Sequence, residues 1–216
     1  MTRDLHQPPE QSRFDQIVLP IRPPGMWAAL TWYRLSRGEF PSPLVASKSS
    51  RWTPLSGDFP CIDLAVDPQT SVAEVWGDRF AAQRAMGAEI YVIPRQQSQH
   101  WNYLQTTGLP DDLRLCDLMD ADTRLALGMD AEALYTTNLH PLQLWAERIA
   151  RHPTGFDGIA YRSAHTDLAC LVLWSRADAA VPLEKRLTFE RAAEFLNSDA
   201  AYVLAGKTGL RLSFAW

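Results

Sequence analysis

Apolar residues along this chain gather into short runs cut by proline, glycine and aspartate, and the two spacings that mark strands and helices alternate irregularly. Cys61-Ile-Asp-Leu-Ala-Val-Asp67 reads as a strand stopped by Asp67-Pro68. From Ser71 to about Arg84, Val72, Val75, Trp76 and Phe80 recur close to helical spacing. Glu89–Pro94 and Leu113–Leu118 read as short strands, and His140-Pro141 opens a helix that runs to about Ala150. Gly155–Gly158 forms a turn before a strand over Ile159–Arg162, and Leu168–Trp174 is a continuous apolar strand. Thr188–Asn197 reads as a late helix and Leu210–Phe214 as a closing strand.

The ends of the pattern differ from its middle. Residues 1–26 carry Pro8, Pro9, Pro20, Pro23 and Pro24, which predicts an extended or loosely docked arm rather than a helix. The packed region begins at Trp27–Arg34, and a loop rich in Pro, Ser and Gly fills Arg37–Pro60. Strands and helices do not alternate regularly, and neither a Gly-x-Gly-x-x-Gly run nor a phosphate-loop lysine is present. The expected class is therefore α+β, one domain over residues 27–216 behind the arm.

Composition narrows the function. The 216 residues are 46% hydrophobic and 21% charged, ordinary for a packed globular protein. With 21 Lys and Arg against 25 Asp and Glu the net charge is -4, and no basic stripe stands out, so nucleic acid is not an expected partner. No run approaches the ~20 apolar residues of a membrane-spanning helix, and no apolar signal core opens the chain. Cys61, Cys116 and Cys170 are odd in number and far apart, as buried free thiols in a reducing compartment would be. A cytoplasmic location is expected. His6, His100, His140, His152 and His165 show no ligand spacing, so no metal is expected.

Four islands hold the chemistry: Tyr33-Arg34-Leu35-Ser36, Ser50-Arg51-Trp52, Thr70-Ser-Val-Ala-Glu74-Val75 and Gly158-Ile-Ala-Tyr161-Arg162-Ser163-Ala164. Arg34 and Arg51 lie beside aromatic residues (Trp32, Tyr33; Trp52), and a stacked guanidinium presents a planar fork of donors suited to a diphosphate. Two readings of Glu74 stand. Ser71-Val-Ala-Glu74 fits a capping box; alternatively, the carboxylate faces a cleft and binds a ribose diol. Ser163, at a strand end, is most simply a turn former. Tyr161-Arg-Ser-Ala-His165 lacks the glycines of a nucleophile elbow, so any functional role for Ser163 is in binding.

Together the islands resemble the RES domain family, named for its arginine, glutamate and serine, over roughly residues 30–176. The resemblance implies an ADP-ribosyltransferase-like split mixed β-sheet. It also implies cleavage of the nicotinamide–ribose bond of NAD+ by phosphorolysis or hydrolysis, with inorganic phosphate as a candidate co-substrate and no required cofactor. On that reading Arg51, Glu74 and Ser163 form the catalytic set. Arg34, Arg51, Tyr33, Trp52 and Ser163 would hold NAD+ or phosphate. It further implies the toxin of a bacterial toxin–antitoxin pair, with an Xre-like antitoxin as partner and room for a homodimer. Asp63 stands where such proteins usually carry a tyrosine facing the site, which raises the alternative of a degenerate binding module without catalysis; with a protein as acceptor, the alternative is a mono-ADP-ribosyltransferase.

Overall fold

The computed structural model describes residues 7–21, 25–37, 50–94, 101–136, 138–176, 178–194, 199–207 and 211–215. The 38–49 part of the long loop, Pro23, Pro24, His6, His100, Leu210 and the 195–197 end of the expected late helix lie outside them. Nine strands are described: β1 Thr31–Arg37, β2 Cys61–Ala65, β3 Ile90–Pro94, β4 Trp101–Thr107, β5 Leu115–Asp117, β6 Gly158–Arg162, β7 Ala169–Trp174, β8 Glu190–Glu194 and β9 Arg211–Ala215. Seven make one mixed sheet in the order β5-β6-β7-β2-β1-β4-β8, while β3 and β9 form a separate parallel pair. In the large sheet β5 and β6 run parallel and the other pairings are antiparallel.

The helices are α1 Gln11–Phe14, α2 Gly25–Ala28, α3 Pro68–Ala85, α4 Ala121–Leu127, α5 Leu139–Ala150 and α6 Ala200–Lys207. Three cores follow from this arrangement. One face of the large sheet presents Cys61, Ala65, Ile159, Tyr161, Cys170, Val172 and Trp174 to Leu142, Trp145, Ala146 and Ile149 of α5. The other face gathers Trp27, Trp32, Ile62, Leu64, Leu171 and Leu173. The third core joins Val72, Trp76 and Phe80 of α3 to Leu35 and Tyr103. This is the single α+β domain that the pattern predicts, with the mixed sheet that the resemblance implies.

Three local expectations are corrected. The Asp67-Pro68 pair that stops β2 also starts α3. Asp67 Oδ1 accepts from the Thr70 amide at 2.7 Å and Pro68 occupies the first turn. Ser71 is therefore inside the helix, its hydroxyl donating to the Pro68 carbonyl, and the capping-box reading of Glu74 is overturned. The late helix is instead β8, paired with β4. Its Glu-Arg-Ala-Ala-Glu sequence favours a helix, but the ladder along β4 overrides that local preference. Finally, the described part of the arm is docked. Phe14 and Leu19 are buried in the α5 core, and the Phe14 ring lies edge-on 6.0 Å from Trp145.

The three cysteines are buried and free. Among the described residues, no helix is long and apolar enough to cross a membrane and no His, Cys, Asp and Glu group could hold a metal ion.

Candidate functional site

Strand register builds the floor of the site. Tyr33 of β1 lies opposite Ala65 of β2, Ala65 opposite Cys170 of β7, and Cys170 opposite Tyr161 of β6. Residues directly opposite share a face, so two tyrosines flank two small residues across four strands. Asp63, two positions from Ala65, lies on that same face. Helix α3 brings Glu74 to the row, where the Tyr161 hydroxyl donates to Glu74 Oε2 at 3.0 Å.

Register between β1 and β2 is set at the single pair Tyr33–Ala65. The buried Arg34 guanidinium, on the neighbouring position of β1, is within electrostatic reach of Asp63. Burial lowers the Arg34 pKa, and Asp63 opposes that shift. Asp63 is held by a 2.8 Å hydrogen bond from the Ser50 hydroxyl to its Oδ1. Burial raises its pKa; Ser50 and Arg34 pull it down, and Glu74 pushes it up further. Burial followed by the charge of Glu74 drives the Tyr161 phenol far above its ordinary value, so it remains a donor. Cys170, in the middle of the row, is raised by burial and by the Glu74 and Asp63 carboxylates, and is no nucleophile at neutral pH.

Among the described residues, two polar atoms of this cluster are buried without a hydrogen-bond partner: Arg34 Nη1, a donor, and Glu74 Oε1, an acceptor. Leaving such a group unsatisfied costs about 1–3 kcal/mol. A fold that tolerates both in one cluster has a place where a ligand with both an acceptor and a donor would be stabilised.

The remaining expected residues have mixed placements. Trp52 is fully buried and its ring lies 5.8 Å from that of Tyr161, forming part of the wall behind the row. Arg51 spends Nη2 on the Leu134 and Thr136 carbonyls, at the end of a 3-10 turn over Ala131–Tyr135. Its other nitrogens take no partner among the described residues. Ser163 is fully buried, and its Oγ accepts the amides of His165 and Thr166, shaping the β6–β7 turn. That turn docks on α3 through Thr166 and Thr70, whose hydroxyls are 3.0 Å apart, and through His165 and Asp78 at 3.3 Å. Ser163 thus supports the helix carrying Glu74, with only its hydroxyl proton left for a further contact.

The RES-domain family model matches residues 31–194. The chain belongs to the RES-domain family. No curated protein matches it. Among solved structures, this RES domain resembles a chain of the M. tuberculosis MbcT–MbcA toxin–antitoxin complex, with a TM-score of 0.51 and 21% identity over 84% of this chain and 88% of that one. The likeness is one of fold.

Within the RES domain, then, the structure gathers Arg34, Glu74 and the Tyr33 row around Asp63, while Trp52 supports it from behind. Two contributors were not among the expected site residues. Tyr161, the partner of Glu74, belongs to the Gly158–Ala164 island, but nothing in the sequence pairs it with Glu74. Ser50, which holds Asp63, had one signal: its place next to Arg51.

Proposed function

We propose that this RES domain cleaves the nicotinamide–ribose bond of NAD+. The observation that carries the reading is the buried pair of unsatisfied atoms, Glu74 Oε1 and Arg34 Nη1, in one cluster. A ribose diol supplies the donors that Glu74 Oε1 lacks, and a phosphate or carboxamide oxygen supplies the acceptor that Arg34 Nη1 lacks. The Tyr161 hydroxyl fixes the other Glu74 oxygen, so the carboxylate is oriented before the substrate arrives. A preorganised negative group near the anomeric carbon favours the oxocarbenium character that develops as the glycosidic bond breaks. The Arg51 nitrogens that take no partner among the described residues are available to the diphosphate, with Tyr33 and Trp52 as the aromatic surroundings and the Ser163 proton as a remaining donor.

The experiment is direct. The purified protein is incubated with NAD+, with and without phosphate, and nicotinamide release is followed. Glu74→Ala should lower the rate by about a hundredfold or more while circular dichroism stays unchanged. A Glu74→Ala protein as fast as wild type would remove Glu74 from this role.

Likeness to a chain of a toxin–antitoxin complex supports a biological setting for this activity. In it the RES domain is the toxin, and a helical Xre-like antitoxin restrains it. Expression of the chain alone should arrest bacterial growth while NAD+ falls, and co-expression of the protein encoded next to it should restore growth. Arrest with NAD+ unchanged would separate toxicity from this chemistry.

A further inference from the structure

We propose that Asp63 is a catalytic base that takes a proton from water, so that this chain hydrolyses the nicotinamide–ribose bond in preference to phosphorolysing it. The proposal rests on the NAD+ reading of the site and names its acceptor.

Position comes first. Asp63 is in the middle of β2, opposite Val172, on the face that carries the Ala65–Cys170–Tyr161 row. The Ser50 hydroxyl fixes its Oδ1, whereas no described residue donates to Oδ2. As a whole residue Asp63 is neither fully buried nor exposed. A carboxyl with one oxygen held and the other open can orient one water molecule toward a neighbouring substrate. Ser50 is itself anchored, since Gln143 Nε2 donates to its carbonyl at 3.1 Å.

Charge decides between the two acceptors. The charges of both Glu74 and Arg34 are felt at Asp63. The Nη2 corner of Arg51 is turned to the Leu134 and Thr136 carbonyls. Inorganic phosphate bears one to two negative charges at neutral pH and would have to enter beside two carboxyl groups. Like charges at close quarters in a site of low polarity repel strongly. Water carries no charge and meets no such barrier. Burial holds Asp63 above the ordinary carboxyl range, which makes it a stronger proton acceptor than an exposed aspartate.

The step balances without any further reactant. The water oxygen bonds to the anomeric carbon as the bond from that carbon to the nicotinamide nitrogen breaks. The electron pair of the broken bond goes to the ring and cancels its positive charge. The water proton passes to Asp63 and from there to solvent. The products are ADP-ribose, nicotinamide and one proton.

The test uses the full chain and NAD+ in phosphate-free buffer and in buffer with millimolar inorganic phosphate. Nicotinamide, ADP-ribose and ADP-ribose 1″-phosphate are quantified by mass spectrometry. The expected result is nicotinamide release without phosphate, with ADP-ribose the main product in both buffers. Asp63→Asn should slow hydrolysis by about a hundredfold, the usual worth of a positioned base, and should raise the fraction of 1″-phosphate formed when phosphate is present. Release that depends on phosphate and yields mainly the 1″-phosphate overturns the proposal but leaves the NAD+ reading standing, as does an Asp63→Asn protein that hydrolyses at the wild-type rate. No nicotinamide in either buffer takes down the NAD+ reading and this proposal with it. Should Asp63→Asn fail to fold, the wild-type product partition decides alone.

Discussion

The Tyr161 phenol donates to Glu74 Oε2 at 3.0 Å, tying the middle of β6 to the second turn of α3 across 87 positions of sequence. Burial and the Glu74 charge keep that phenol protonated, so the bond persists over the whole working pH range. Glu74 is consequently held by one oxygen and open at the other.

Tyr161→Phe removes the donor and leaves both Glu74 oxygens without one. Unfolding in urea should show a loss of about 1–3 kcal/mol, the cost of an unsatisfied buried acceptor. Nicotinamide release should fall about tenfold, equivalent to ~1.4 kcal/mol of transition-state stabilisation. Unchanged kinetics with lowered stability would reduce the bond to a structural one.

Asp63 gives a pH dependence whose sign is fixed. Its folded pKa is raised, so the native state binds the Asp63 proton more tightly than the unfolded chain does. Its contribution is most favourable below the unfolded value of about 3.9, declines as pH rises toward the folded value, and stays low above it. Relative to Asp63→Asn, the wild type should therefore be less stable at pH 7 than at pH 4, as measured by urea titration. A stability difference that does not change with pH would contradict the burial of this carboxyl.

The glycine of the Gly158-Ile-Ala-Tyr-Arg-Ser-Ala island has a packing reason. A Cβ at Gly158 would lie 2.3 Å from the Val172 carbonyl oxygen of the adjoining β7, and backbone cannot swing aside as a side chain can. Gly158→Ala should destabilise the fold by about 1–3 kcal/mol or more, as other overpacked cores do. Its melting temperature should drop sharply, whereas Gly25→Ala, where a Cβ meets nothing within 4 Å, should leave it nearly unchanged.

Phe14 anchors the arm to α5, so Phe14→Ala should cost about 3–5 kcal/mol, typical of a fully buried aromatic. Val18, four residues on, is 89% exposed, and Val18→Ala should stay within about 0.5 kcal/mol. Equal effects would mean that the arm is not docked in solution.

Much of this fold was legible before any coordinates. β2, β7 and β6 showed as apolar runs because they are buried within the large sheet, and α5 because its buried residues follow helical spacing. The side of the large sheet from β1 to β8 was harder to read: β1 showed only as the start of the packed region. β8 carries a helix-favouring sequence and becomes a strand only because β4 offers it a ladder. β4 itself, Trp101–Thr107, has polar residues among its apolar ones and escaped notice. The arm looked loose because prolines forbid a long helix, yet Phe14 and Leu19 of its described part are buried in the α5 core.

The sequence by itself determined the ordered islands, and with them the α+β class and the arginine, glutamate and serine that lead to the RES-domain family. Those features are local, because spacing and residue type need no knowledge of what lies across the sheet. Only the tertiary structure decided what each residue does there. It aligned Tyr33, Ala65, Cys170 and Tyr161 in one row, gave Glu74 to Tyr161, set Asp63 between Ser50 and Arg34, and turned the Ser163 oxygen to its own loop. The physical reason is that hydrogen bonds and buried charges depend on distance in space. That distance is set by strand register and helix docking, neither of which can be read from neighbours along the chain.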